Sequence, residues 1–217
     1  MEDDLLAALP PLSRLALAYA PAAARADWLT LLALDARLAV IIRQAREPVL
    51  AQLRLAWWRD RLHQTIAERP RGEPLLARLS QWQDGGSALV SLIDGWECLI
   101  GEAPLGAEAL EGFVRGRVAA VAALTDRIGG DQRLATALAK RWALADLILH
   151  LTENEERDLA ATLLKEASQA PGRVPRLLRP LLVLERVTTR AASRGSRQAL
   201  TSPVALITAM RAGLLGR

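Results

Sequence analysis

The chain has 217 residues, 51% of them hydrophobic, and a formal net charge of +4; that is one domain's length, with enough apolar surface for a full core. Leu and Ala dominate, aromatic residues other than the six Trp are almost absent, and β-branched runs are few, a balance that predicts an all-α protein. The one cysteine, Cys98, excludes an internal disulfide and fits a reducing compartment. With only two His beside it, the chain argues against a structural zinc site. No window reaches the roughly 18 uninterrupted apolar residues of a membrane span. The acidic start, Met1-Glu2-Asp3-Asp4, does not resemble a secretory signal or a transit peptide. A cytoplasmic protein is therefore expected. The net charge is unevenly spread: Pro171 to Arg217 holds nine Arg against the single acid Glu185, a charge of +8, so the remainder carries −4.

In chain order, Ser13 is placed to cap a short first helix through about Ala20, and Pro21 suits the first turn of a second helix running to about Ala45. On that second helix Trp28, Leu31, Leu32, Leu38 and Ile42 share one side, and Asp35 projects from the middle of it. A lone carboxylate there is paired or functional. Glu47-Pro48 starts a third helix to about Glu68, and Arg69 to Pro74 is a loop by its Pro and Gly content. A short helix to Gln83, a turn at Asp84-Gly85-Gly86, and a helix capped by Ser87 and ending near Gly101 follow. Helices over about Ala107–Ile128 and Gln132–Leu151 are divided by Gly129-Gly130-Asp131. Thr152 to Ala170 reads as a helix or a broken one, ended by Pro171-Gly172. Two more helices begin near Pro175 or Pro180 and near Ser202. There is no internal repeat or low-complexity linker, so 1–217 is read as a single domain.

The third helix is the most informative. Turned at about 100° per residue, Leu50, Leu53 and Trp57 fall on one side and Leu55, Trp58, Leu62 and Ile66 on another. Two apolar sides predict burial between neighbours. Arg54 lies within the first side and then needs a carboxylate or carbonyl partner, for which Asp35 is the candidate. The segment Arg54-Leu55-Ala56-Trp57-Trp58-Arg59-Asp60 resembles the RLxWWRD segment of the squalene/phytoene synthase family. The resemblance continues through Tyr19-Ala20-Pro21, Ala33-Leu34-Asp35 and Arg46-Glu47-Pro48, and more weakly through Leu92-Ile93-Asp94-Gly95-Trp96-Glu97. It covers about residues 15–100 well and the rest loosely. It implies the trans-prenyl synthase fold: a single all-α domain of antiparallel helices around a central cavity.

In that family two Asp-rich motifs face each other across the cavity and bind Mg²⁺ ions that hold two prenyl diphosphates. A diphosphate leaving group needs hard cations, and these need carboxylate oxygens. The register that the resemblance implies puts the first motif's acids near Ala39 and Arg43, and Arg37 through Arg46 contains no carboxylate. The second motif's acids register near His150 and Asn154, in the run from Asp146 to Asn154. A Mg²⁺ cluster in the family's manner is therefore not expected, and neither is any other cofactor. Enzymes of the family are also longer beyond the second motif. What the resemblance implies is a non-catalytic member, similar to the branch that contains the mitochondrial respiratory complex I assembly factor. Its partner would be a protein in that assembly, or a lipid or isoprenoid held in the cavity, with peripheral contact at the inner face of a membrane. The alternative is a prenyl-diphosphate transferase with unorthodox metal ligands, in which Asp35, Asp94 and Glu97 would have to converge opposite the second motif.

Two polar patterns remain. Asp146, His150, Glu153 and Arg157, spaced four, three and four, make a stripe about 60° wide on an otherwise apolar helix. It reads as an exposed ladder of i,i+4 pairs, as a polar cavity lining using Asp35, Arg54, Trp57, Trp58, Asp146 and His150, or as an acid/base or single-metal site of Asp146, His150 and Glu153. In the basic segment, Arg186, Arg190, Arg194 and Arg197 fall within about 80° of one another on a helix. They form either a solvated face or a dock for anionic lipid headgroups or an acidic partner. Nucleic acid is not expected, because no reading module or aromatic interleaving accompanies the Arg. Gly85-Gly86 and Gly129-Gly130 read as helix-ending turns rather than phosphate loops, and Cys98 reads as a small buried hydrophobe.

Overall fold

The structure is a computed structural model that describes residues 2–45, 47–70, 72–82, 84, 86–168 and 172–217. Among these, the regular elements are helical throughout. They are α1 Glu2–Ala8, α2 Pro11–Leu17, α3 Ala22–Gln44, α4 Pro48–His63, α5 Pro74–Leu79, α6 Val90–Glu97, α7 Ala107–Ile128, α8 Gln132–His150, α9 Asn154–Glu166, α10 Arg179–Ala192 and α11 Pro203–Met210. α11 runs on into one wide π turn, Arg211–Leu215. The expected all-α class holds. Arg46 of the Arg46-Glu47-Pro48 motif, the helix end at Gln83, Gly85 of the turn, and the helix end at Ala170-Pro171 lie outside the described residues.

The long helices fall where their punctuation places them. Pro21 is the N-cap of α3 and Pro48 opens α4. Gly129, at φ +69°, closes α7, and Asp131 caps α8 by accepting from the Leu134 N–H at 3.0 Å. Ser202 accepts from the Ala205 N–H at 3.2 Å and starts α11. Three expectations fail for local reasons. Ser13 lies inside α2, which Pro11 opens. Ser87 caps nothing; Asp84 does that work, accepting from the N–H groups of Gly86 at 3.0 Å and Ala88 at 2.7 Å. The third helix stops at His63, and a separate turn over Ile66–Glu68 is closed by the Thr65/Glu68 capping box.

α8 is the hub, packed against α7, α9 and α10; α10 also touches α2 and α11. Its buried Leu138, Trp142, Leu144 and Leu147 join one contiguous core, each contributing roughly 1.5–3 kcal/mol by leaving water. α6 crosses α7 at backbone distance: a Cβ on Gly116 would lie 2.3 Å from the Ser91 carbonyl oxygen and 2.7 Å from Gly95 Cα. Only glycine allows that approach. It presses Trp96 edge-on to Phe113, with ring centres 4.9 Å apart.

α4 is not sandwiched. Ala51, Leu55, Trp58 and Leu62 face the core, while Leu50, Leu53 and Trp57 look outward, Leu53 being 62% exposed. The helix packs on α3 and α6 with one face only, so Arg54 is exposed and has no buried charge to neutralise.

Candidate functional site

Behind the α6–α7 contact, α3, α7, α8 and α10 enclose a cavity of about 360 Å³. Ala39, Ile42, Leu147, Leu151, Leu184 and Leu200 give it an apolar lining, and Asp35, Arg117, Asp146 and His150 form its polar wall. Asp35 and Arg117 stand on the central turns of long helices, where flanking apolar residues fix the backbone, and Asp146 and His150 lie on the closing turns of α8.

Arg117 is the centre of that wall. It lies on α7 in the row Leu110, Phe113, Arg117, Val121, Leu124, at spacings of three and four, and is 2% exposed. Its Nη2 donates to Asp35 Oδ2 at 2.9 Å and Oδ1 at 3.1 Å, and its Nη1 donates to Asp146 Oδ2 at 2.8 Å. The Trp96 indole N–H donates to Asp35 Oδ1 at 2.9 Å. Three rings surround the cation: Trp142 at 4.2 Å, Phe113 at 4.6 Å and Trp96 at 5.5 Å from ring centre to guanidinium carbon. Charge-assisted bonds and ring faces together replace the water that this cation has lost.

His150 closes the network at the cavity mouth. Its Nδ1 lies 2.9 Å from the Asp146 backbone oxygen and 3.3 Å from Asp146 Oδ1. Both are acceptors, so Nδ1 carries the hydrogen and Nε2 is left to face other groups. The hydrogen bond to Asp146 raises the imidazole above its ordinary value against the opposing effect of burial. Burial pushes the Asp146 carboxyl up, but Arg117 and His150 outweigh it and hold the group well below the usual carboxylate range. Asp35 comes out the other way: burial outweighs the pull of Arg117 and pushes it up, with Asp146 adding repulsion. The four groups sum to zero charge with His150 protonated and to one negative charge with it neutral.

Sequence reasoning found Asp35, Asp146 and His150, and the structure brings these three together. It missed Arg117, though the signal was there: a cation in an apolar row, the pattern that singled out Asp35. Arg117, not Arg54, is the partner of Asp35. Arg54, Trp57 and Trp58 lie on a separate outer groove with Arg37, Val40, Ile41 and Gln44. Asp94 and Glu97 do not reach the cavity wall. They clamp Arg59, Asp94 Oδ1 accepting from Nε at 2.9 Å and from Nη2 at 2.7 Å, and Glu97 accepting from Nη2.

Glu153 is off the stripe, because α8 ends at His150 and the chain turns before α9. Glu153 is exposed there, and Arg157 bonds back to the Leu151 carbonyl oxygen at 3.3 Å. The stripe of four Arg breaks in the same way: Arg186 and Arg190 are on α10, while Arg194 and Arg197 lie beyond its end, past which Gly195 turns the chain at φ +61°. Arg186 Nε lies 3.6 Å from Glu185 Oε2, and Arg197 is close enough to His150 for its charge to be felt there. Cys98 is exposed at the end of α6, not buried.

Mg²⁺, which only the prenyl-transferase alternative would need, does not fit this donor set. All four oxygens of Asp35 and Asp146 already face N–H groups of Arg117, Trp96 or His150. Among the described residues no three His, Cys, Asp or Glu side chains converge as metal ligands. In comparisons with known proteins, no family model, no curated protein and no solved structure matches the chain.

Proposed function

We propose that the protein is a non-catalytic squalene/phytoene synthase-like binding protein whose cavity holds the apolar chain of a lipid or isoprenoid. One observation carries the reading: the acids that line the cavity from α3 and α8 are consumed by Arg117, an internal cation, where a prenyl transferase with unorthodox ligands would have to use them for Mg²⁺. Two more support it. Ala39 and Arg43, the positions where the resemblance would put the first acidic motif, line this same cavity. The mouth is basic, with Arg43, His150 and the nearby Arg197, which suits a ligand with an anionic head. On this reading the protein works at the inner face of a membrane, presenting or sensing such a chain while a respiratory complex is assembled. The protein-partner part of that role rests on the resemblance of Arg54–Asp60 alone.

Calorimetry with a non-hydrolysable farnesyl diphosphate analogue, with Mg²⁺ and with a chelator, tests this. The expected result is binding of equal strength in both conditions, lost in Ile42→Trp, which fills the cavity. Mg²⁺-dependent binding tighter than about 10 μM, on the order of −7 kcal/mol, would replace this reading with the prenyl-transferase one. No binding in either condition would remove the cavity from the function.

A further inference from the structure

α11 is built inside out. Its sequence, Pro203-Val204-Ala205-Leu206-Ile207-Thr208-Ala209-Met210, is apolar on every side, a pattern that ordinarily means burial on every side. Here the small residues face the protein and the large ones face away. Ala205, Ala209, Ala212 and Gly213 are buried. Ile207 and Leu214 are each 57% exposed, and Val204, Leu206, Met210 and Leu215 are exposed with them. The seat is too tight to reverse: a Cβ on Gly213 would lie 2.2 Å from the Tyr19 ring, and one on Gly216 2.6 Å from the Val174 carbonyl oxygen. Rolling the helix to bury its large side chains would drive them into those contacts. A scattered exposed Leu needs no explanation, but six aliphatic or Met side chains along one helix form a continuous face.

The edge of that face is basic. Arg211 lies in it and Arg217 follows it. The segment from Gly172 to Arg179 runs along its end: Arg173 Nε donates to the Leu215 carbonyl oxygen at 3.1 Å, and Arg179 Nη1 to that of Gly213 at 3.1 Å. Arg173 and Arg176 are exposed there. The only acid between 172 and 217 is Glu185, 1% exposed and bound to Arg141. No exposed carboxylate of this segment offsets the charge.

We propose that this face lies flat in the surface of an anionic phospholipid bilayer, with Val204, Leu206, Ile207, Met210 and Leu214 among the acyl chains and Arg173, Arg176, Arg211 and Arg217 at the phosphates. Basic side chains can lay their stems along apolar surface while their heads reach the interface. A second copy fits less well, since a two-fold contact would set the same Arg against themselves. A protein partner also fits less well. The face offers no aromatic ring, and its one hydroxyl, on Thr208, already donates to the Val204 carbonyl oxygen at 2.8 Å. Protein interfaces use about one hydrogen bond per 100–200 Å². The inference deepens only the peripheral location in the proposed function, and it is tested without a cavity ligand, so either can fail alone.

The test is flotation of the full chain with vesicles of phosphatidylcholine alone and of equimolar phosphatidylcholine and phosphatidylglycerol. Binding is expected to the second only, to fall with added salt, and to drop at least about tenfold in the triple variant Ile207→Ser, Met210→Ser, Leu214→Ser. Circular dichroism and thermal melting check that the variant folds. Should it not fold, Arg173→Gln with Arg211→Gln carries the test, each change weakening binding about fivefold. Absence of binding to anionic vesicles overturns the proposal, as does equal binding to both kinds or binding that neither variant changes. A dimer in ultracentrifugation that the triple variant dissociates would assign the face to a second copy, and overturns it too.

Discussion

α8 carries two buried ion pairs, and they differ in kind. Arg141 and Asp146 stand five residues apart on the helix, about 140° around its axis. On one side Arg141 Nε donates to Glu185 Oε1 at 2.8 Å, and its Nη1 reaches the Ala167 carbonyl oxygen at 3.3 Å. That pair ties α8 to α10 and to the end of α9, deep in the core. Its second carboxylate oxygen, Glu185 Oε2, has no hydrogen-bond partner. On the other side Asp146 belongs to the Arg117 network, where every carboxylate oxygen has a donor and one member, His150, opens to the cavity mouth. Two charges that do not line this cavity hold helices in register. A saturated network beside an apolar cavity can also respond to what enters it.

The largest expected effect comes from Arg117→Met. It strands Asp35 and Asp146 as buried like charges and should cost roughly 3–5 kcal/mol in urea unfolding. A loss below about 1 kcal/mol would mean that the network is not desolvated as described. Glu185→Leu alone should cost a similar amount by orphaning Arg141. The double variant Arg141→Met, Glu185→Leu should recover most of that loss, to within about 1 kcal/mol of the native protein or above it. If the double variant stays as weak as the single one, the pair does more than hold α8 on α10. Asp35→Asn keeps the Trp96 hydrogen bond and removes a charge that burial already disfavours; about 1–2 kcal/mol is expected by chemical denaturation.

The smallest effect is the pH dependence of His150. Its folded value is raised by the hydrogen bond to Asp146, so its stabilisation is full below the unfolded value of about 6.5 and disappears as pH rises through the higher folded value. The melting temperature should therefore fall slightly between about pH 6 and pH 8. That slope should vanish in His150→Gln. An unchanged slope in the variant would remove His150 from the network.

The sequence was a good guide where long apolar periodicity met clear punctuation. α7 was expected over Ala107–Ile128 and is found there, between Gly106 and Gly129. It was a poor guide where tertiary contact decides. The break expected at Leu151-Thr152 is there, but the stripe from Asp146 to Arg157 reads straight through it, and α9 folds back on α8 instead. Periodicity gave α4 two apolar sides but could not say that only one meets a neighbour. The cavity wall was half legible for a related reason. Asp35 and Asp146 stood out as acids among apolar residues, but pairing them needed the crossing of α3, α7 and α8. Nothing along the chain marks Arg117 as nearer to Asp35 than Arg54.

The aromatic cage around Arg117 has an optical consequence. Trp96 and Trp142 border the cavity and hold the Arg117 cation within 5.5 Å of their rings; Trp82 and Trp57 also lie beside guanidinium groups, Arg127 at 5.5 Å and Arg61 at 5.6 Å, but line no part of this cavity. Two of the six indoles therefore emit in a strong local field that any guest in the cavity, or any proton on His150, would alter. The protein carries its own fluorescent gauge of the cavity, and no dye has to be attached to read it.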